Sequence, residues 1–313
     1  MNVLPVLPLA RYRLTFQAMT PVRLPAYAGS AWRGVFGRSL KRLVCVSREP
    51  VCTTCLLYRS CVYPYVFETP PDPAVGKLRK YTTAPHPFVL IPGAGGTQPA
   101  GAALQLGITL FGHGNRYLPY VLHALDQAGQ RGIGTQQGRL LLRRVEQAQS
   151  ADAGWREIYV PGEPLTPQAP SVLAVPPCPE RLKLVLETPL RLKIEGHHLT
   201  PELFRYGVLF SQLLRRISLL TAFHTGTPLE TDFAGLTRAA RNIELESSEL
   251  YWHDWTRYST RQDTLLQMGG LVGWIRLAGA ELVPFWPYLW LGQWTHVGKG
   301  TSMGLGKYRI EIP

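Results

Sequence analysis

The chain is short of acid. Among 313 residues, 21 Asp+Glu stand against 33 Lys+Arg, a formal charge of +12. A surplus of that size calls for a polyanionic partner. Long apolar runs are also missing: none approaches the roughly 20 residues that span a bilayer. The basic residues alternate with strand-like and turn-like sequence instead of lining one long amphipathic helix, which favours nucleic acid over a membrane surface. The opening MNVLPVLPLA has no cationic stretch, and its prolines interrupt any signal-like segment, so a soluble, cytoplasmic protein is expected. Cysteine is scarce and uneven. Cys45, Cys52, Cys55 and Cys61 fall within seventeen residues and Cys178 stands alone, whereas a secreted disulfide scaffold spreads its cysteines through a short chain.

The spacing C-x6-C-x2-C-x5-C offers four soft thiolates, enough for tetrahedral zinc or for an iron–sulfur cluster. Structural zinc is the expectation, because a closed site orders a core-poor insertion without redox chemistry. An iron–sulfur cluster is the alternative, and free or disulfide-linked thiols remain as the third reading.

Tyr12, Leu14 and Phe16 alternate with Arg11, Arg13 and Thr15, which predicts a strand over 9–16 with one apolar and one cationic face. A helix is predicted over 30–44, with Ser30 as N-cap and Val35, Phe36, Leu40 and Leu43 as its apolar stripe. Arg33, Arg38, Lys41 and Arg42 are left for solvent or phosphate. Further strands are predicted near 88–91, 104–110 and 139–145, with a helix over 117–128. A proline-rich stretch over 151–179 marks a boundary. Beyond it the order returns: strand (182–194), helix (201–223), strands near 243–252 and 271–277, a short apolar helix near Trp286, and a last strand over 307–312. Arg205, Arg215 and Arg216 are expected on a solvated helix face.

Strand, helix, two strands, helix, strand is the ferredoxin-like pattern, and it occurs twice. Without gaps, PYVLHALDQAGQRGIGTQQGRLLL from Pro119 aligns with PYLWLGQWTHVGKGTSMGLGKYRI from Pro287. Arg131 then meets Lys299, Gly132 meets Gly300, Gly138 meets Gly306 and Arg139 meets Lys307. The expected fold class is α+β: two tandem ferredoxin-like (RRM-like) βαββαβ domains over 1–160 and 175–313, with a Cys-rich metal-binding insertion (45–68) in the first.

VGKGTSMGLG, residues 297–306, permits two readings. Gly298, Gly300, Gly304 and Gly306 allow positive φ and close backbone approach, so amides can face a phosphate, with Lys299, Thr301, Ser302 and Lys307 adding charge and hydroxyls. Alternatively it is a tight turn into an edge strand. A strand, not a helix, follows the last glycine, which disfavours a Walker loop and ATP hydrolysis.

LPAYAGSAWRGVFG with the cysteines after it, TPLRLK, RYSTRQ, MGGLVGWI and above all HVGKGTSMGLGKY resemble the RAMP superfamily, and within it the endoribonucleases that process CRISPR repeat transcripts. The resemblance implies metal-independent cleavage of repeat RNA to 2′,3′-cyclic phosphate and 5′-hydroxyl ends. It also implies retention of the guide RNA and association with other CRISPR interference-complex subunits; a non-catalytic RAMP subunit that packages guide RNA is the rival. The family's catalytic histidine commonly lies on or near the first helix, with a tyrosine and a lysine. Residues 27–43 contain no histidine.

His296 is therefore the first candidate for proton transfer, with a structural histidine bonded to a loop carbonyl as the alternative reading. Lys299 is the candidate phosphorane stabiliser and Ser302 a positioning hydroxyl. Otherwise Arg33, Arg38 or Lys41 act with Tyr27, or the chain binds without cutting. Arg257 and Arg261 in RYSTRQ are expected to contact RNA or to sit on a solvated loop. His197 and His198 are expected at the surface, and His113 is a weaker catalytic candidate.

Overall fold

The computed structural model describes residues 4–69, 84–150, 154–259 and 264–312. Two compact units emerge: residues 7–173 with 219–228, and the residues up to Val6 with 174–218 and 229–313. The N-terminal unit runs β1 (Leu9–Ala18), β2 (Val22–Leu24), α1 (Gly29–Val44), α2 (Val62–Phe67), β3 (Phe88–Pro92), β4 (Gly96–Gln98), β5 (Ala103–Phe111), α3 (Leu118–Arg131), β6 (Leu140–Ala148) and β7 (Trp155–Tyr159). Its sheet has the order β3-β5-β1-β6-β7, and β2 pairs with β4 apart from it.

The C-terminal stretch runs β8 (Arg181–Leu190), β9 (Lys193–Ile194), β10 (His197–His198), α4 (Tyr206–Thr225), α5 (Phe233–Ala240), β11 (Ser247–His253), β12 (Thr256–Ser259), β13 (Thr264–Gln267), β14 (Gly270–Ala278), α6 (Trp286–Thr295) and β15 (Tyr308–Glu311). Its main sheet has the order β11-β14-β8-β15. In both sheets the first βαββαβ strand lies between the third and the last, and all pairings are antiparallel. The duplicated ferredoxin-like order is therefore present.

Alternation explains the central strands. Tyr12, Leu14 and Phe16 are buried on β1, with Leu14 opposite Leu106 on β5 and Val145 on β6. On β8, Leu184 lies opposite Ile275 and Ile310. Each such buried side chain contributes about 1.5–3 kcal/mol.

Helix α1 departs from its expected details. It starts at Gly29 after Ala28, with no side-chain cap, so Ser30 is not the N-cap. Trp32, Phe36, Ser39 and Leu40 form the buried row, a regular i, i+4, i+7, i+8 face. Leu43, in the last turn, is 41% exposed and lies past the core. RYSTRQ begins in β12 rather than in a loop; Arg261 lies outside the described residues.

Candidate active site

The glycine loop leaves α6 at His296 and returns into β15. Gly298, Gly300, Gly304 and Gly306 all have positive φ, as expected, but the amides turn inward. Val297 N–H donates to Gly306 O, Lys299 N–H to Arg191 O, Met303 and Leu305 N–H to Gly300 O, Gly304 N–H to Thr301 O, and Gly306 N–H to Pro189 O. Lys307 N–H donates to Thr188 Oγ1. The expected row of amides aimed at a phosphate is thus spent mainly on closing the loop against the end of β8, and Thr301, Gly304 and Gly306 are buried.

A Cβ on Gly306 would sit 1.8 Å from Val297 O. Gly298, where a Cβ would sit 2.5 Å from Arg191 O just past β8, and Gly138, where one would sit 2.6 Å from Pro21 O just past β1, share a second constraint. In each unit the loop before the last strand seats on the chain that leaves the central strand, which accounts for the repeated glycines by packing. Gly306→Ala should therefore destabilise the C-terminal unit by about 3 kcal/mol or more, read from urea unfolding. Gly196→Ala, also at positive φ but with nothing within 4 Å, should cost only the backbone strain, about 1 kcal/mol.

His296 is a correction. It has 0% exposure and a φ of 57°, and its Nδ1 lies 3.2 Å from Leu305 O. Burial, then the charges of Arg216 and Lys307, push its pKa down to about 3. A ring enclosed and neutral in this way does not exchange protons with a bound RNA, so it is the structural histidine of the two readings. Arg216 also departs from expectation: its guanidinium turns inward, Nε donating to Thr295 O at 2.6 Å, and burial lowers its pKa to about 9. Lys307 pairs with Glu187 at 2.6 Å, while Ser302 is half-buried and Lys299 exposed. Lys299 is the loop's exposed cation.

The structure brings an unforeseen imidazole to the first helix. His86, just ahead of β3, has Nε2 2.9 Å from Arg33 Nη2 on α1. Its ring stacks on Phe88 at 5.7 Å, and Phe67 from α2 lies under the Arg33 guanidinium at 5.5 Å. Tyr27 is half-buried just ahead of α1, and Arg38 is exposed. Lys41 instead donates to Pro50 O at 3.2 Å and lies over Tyr63, which ties it to the cysteine insertion. Cys45, Cys52, Cys55 and Cys61 are half-buried free thiols around one small cavity.

The outer face of β1 presents Arg11 and Arg13, both over the Trp155 ring, Arg13 at 4.5 Å. His113 lines a separate cavity of about 500 Å³ with Arg116 and His224; burial and then Arg116 lower its pKa. His198 is half-buried and 3.3 Å from Arg191, and His197 is exposed. Arg257 lies on β12.

The family of CRISPR-associated endoribonucleases called Cas6 has a model that matches residues 184–308, a span that covers β14, α6 and the glycine loop. The C-terminal stretch carries a Cas6-type domain. A second model, described as an N-terminal domain, matches residues 7–171. An uncharacterized protein of Archaeoglobus fulgidus is 30% identical over 112 residues, 35% of this chain and 37% of that relative, so the match spans little more than a third of its length.

Among solved structures, a Cas6 product complex is 18% identical with a TM-score of 0.56, covering 97% of this chain and 99% of that one. Thermus thermophilus Cas6 is 16% identical with a TM-score of 0.52 and the same coverage. A partial Cas6-RT-Cas1-Cas2 complex is 14% identical with a TM-score of 0.61, covering all of this chain and 47% of that one. These likenesses establish the tandem ferredoxin-like fold of Cas6. Among the described residues no helix is long and apolar enough to cross a membrane.

Proposed function

We propose that this chain binds CRISPR repeat RNA and cuts it by attack of a ribose 2′-oxygen on the adjacent phosphorus, leaving 2′,3′-cyclic phosphate and 5′-hydroxyl ends. The match of residues 184–308 to the Cas6 endoribonuclease model carries the reading. The 2′-hydroxyl gives up its proton as the P–O2′ bond forms; the P–O5′ bond breaks and the 5′-oxygen gains a proton. The Arg33–His86 pair supplies suitable groups. With Arg33 donating to Nε2, the imidazole is in its neutral, basic form. A phosphate that draws the guanidinium away takes a bidentate cation against its developing charge and frees Nε2 to accept the 2′ proton.

Trp155, under Arg11 and Arg13, offers a stacking surface to unpaired nucleotides, while Arg13 itself is held bidentately by Glu146 at 2.8 and 2.9 Å. Lys299 binds RNA phosphate on the C-terminal unit. Lys299→Ala should weaken binding at every sequence and reduce the slope of log K against log salt by about 0.7, the single-strand value for one phosphate. An unchanged slope removes Lys299 from the interface.

The second reading, a subunit that packages guide RNA without cutting it and hands it to other CRISPR complex subunits, is favoured by the burial of His296 and by the absence of histidine from α1. The chain is incubated with its repeat RNA and with a copy bearing one 2′-deoxy substitution at the cut. Cleavage of the first alone is expected. Tight binding with neither copy cut replaces the enzyme with the packaging subunit.

A further inference from the structure

Between α1 and α2 the chain makes an excursion with almost no apolar interior. Val46, Val51 and Leu56 are 78%, 53% and 97% exposed, and the short 3-10 turn Cys52–Thr54 has no buried residue. Local backbone bonds shape it: Cys55 N–H donates to Cys52 O and Cys61 N–H to Leu57 O. Such turns recover little of the conformational entropy that ordering a segment costs, about 1–2 kcal/mol per residue. What the excursion does have at its centre is sulfur. Cys45, Cys52, Cys55 and Cys61, all half-buried and unpaired, line a single cavity of about 20 Å³.

We propose that this cavity is a structural zinc site with those four thiolates as its ligands, and that zinc supplies the cross-link that the missing core does not. The volume holds one ion or one water, about 10–15 Å³. Four thiols lose their protons to the solvent, and Zn²⁺ with four thiolates carries a net charge of −2. Lys41 lines the same cavity, bonded to Pro50 O, and places a compensating cation beside it. Ser47 Oγ, 3.2 Å from Cys55 Sγ, is placed to donate to a thiolate, the outer-shell support that metal-bound ligands ordinarily have.

Among the described residues no three potential ligands yet close on one point, so the excursion tightens around the ion as it binds. With every position taken by sulfur, no place is left for a reacting water, and the role is architectural. The ion ties the end of α1 to the start of α2. From α2, Phe67 packs 6.1 Å from His86 and under Arg33, so the cross-link braces the pair assigned above to RNA cleavage. Metal binding itself does not depend on that assignment.

The test uses the full chain purified without chelator. Elemental analysis should give one zinc per chain, released by a mercurial thiol reagent. The stripped chain should take up one Co²⁺ with thiolate charge-transfer absorption in the near ultraviolet and tetrahedral bands in the visible. Cys52→Ser and Cys61→Ser should lose most of the bound metal, while Cys178→Ser keeps it. If the ligand variants fail to fold, the cobalt titration of the wild type and of Cys178→Ser still decides. A metal-free native chain whose insertion thiols all react promptly with Ellman's reagent overturns the proposal, as does a brown chain containing iron. Loss of zinc with cleavage intact would leave the site standing and remove only its bracing of Arg33 and His86.

Discussion

His86→Ala should slow single-turnover cleavage of repeat RNA by roughly two to four orders of magnitude while changing affinity only a few-fold, the range for losing a positioned general base or acid. The basis is placement. His86 lies within hydrogen-bond distance of an α1 side chain, 2.9 Å from Arg33. Arg33→Ala removes the partner cation and should lower both rate and affinity, since a guanidinium contributes to phosphate binding in the ground state as well as to charge stabilisation. The informative comparison is with His296→Asn, which should leave the cleavage rate of the folded enzyme unchanged. A His86→Ala enzyme that cuts at the wild-type rate ends the assignment, and loss of cutting in His296→Asn with the fold intact returns it to the glycine loop.

The difference between these two histidines shows what sequence carries and what it hides. Period-two alternation on β1 and β8 reports directly which residues face the core, so the duplicated βαββαβ order was readable. The repeated glycines before β6 and β15 were readable as loops, yet not their purpose. A phosphate-binding turn and a turn seated on the neighbouring chain demand the same φ angles, and the choice depends on where the amides point.

His296 was drawn to the site by its sequence neighbours. Its helix, WPYLWLGQWT, is apolar on nearly every face, which marks a buried helix, and that signal already places the following residue inside. Arg216 gives the same lesson: its neighbours Leu213 and Ile217 are fully buried, so an arginine between them has its stem in the core and its head wherever a carbonyl will take it. His86 gave no such signal. It meets Arg33 across 53 residues, from a proline-rich stretch with no periodicity, and only the pairing of β3 with β5 and the packing of α2 fix that meeting.

Acid should unfold the C-terminal unit earlier than its composition requires, and His296 should be the reason. Burial, then Arg216 and Lys307, hold its folded pKa at about 3 against an ordinary value of 6.5. Between those values the unfolded chain binds a proton that the folded chain refuses, so stability is full above about pH 6.5 and falls as pH drops toward 3. The whole effect amounts to about 4–5 kcal/mol at one pKa unit per 1.36 kcal/mol, a large share of the 5–15 kcal/mol typical of a domain.

Urea unfolding followed through Trp286, Trp290 and Trp294 on α6 should show the midpoint falling steadily between about pH 7 and 4. His296→Asn isolates the cause. Asparagine accepts positive φ better than most residues and keeps an N–H to offer Leu305 O, but it has no proton to gain. The other titrating groups are common to both proteins, His198 among them, whose pKa is lowered by burial and then by Arg191. The difference between the two pH profiles therefore belongs to the one imidazole. A variant that loses stability on acidification as steeply as the wild type would place the sensor elsewhere; a flattened profile would establish that the histidine beside the glycine loop contributes to folding by remaining neutral.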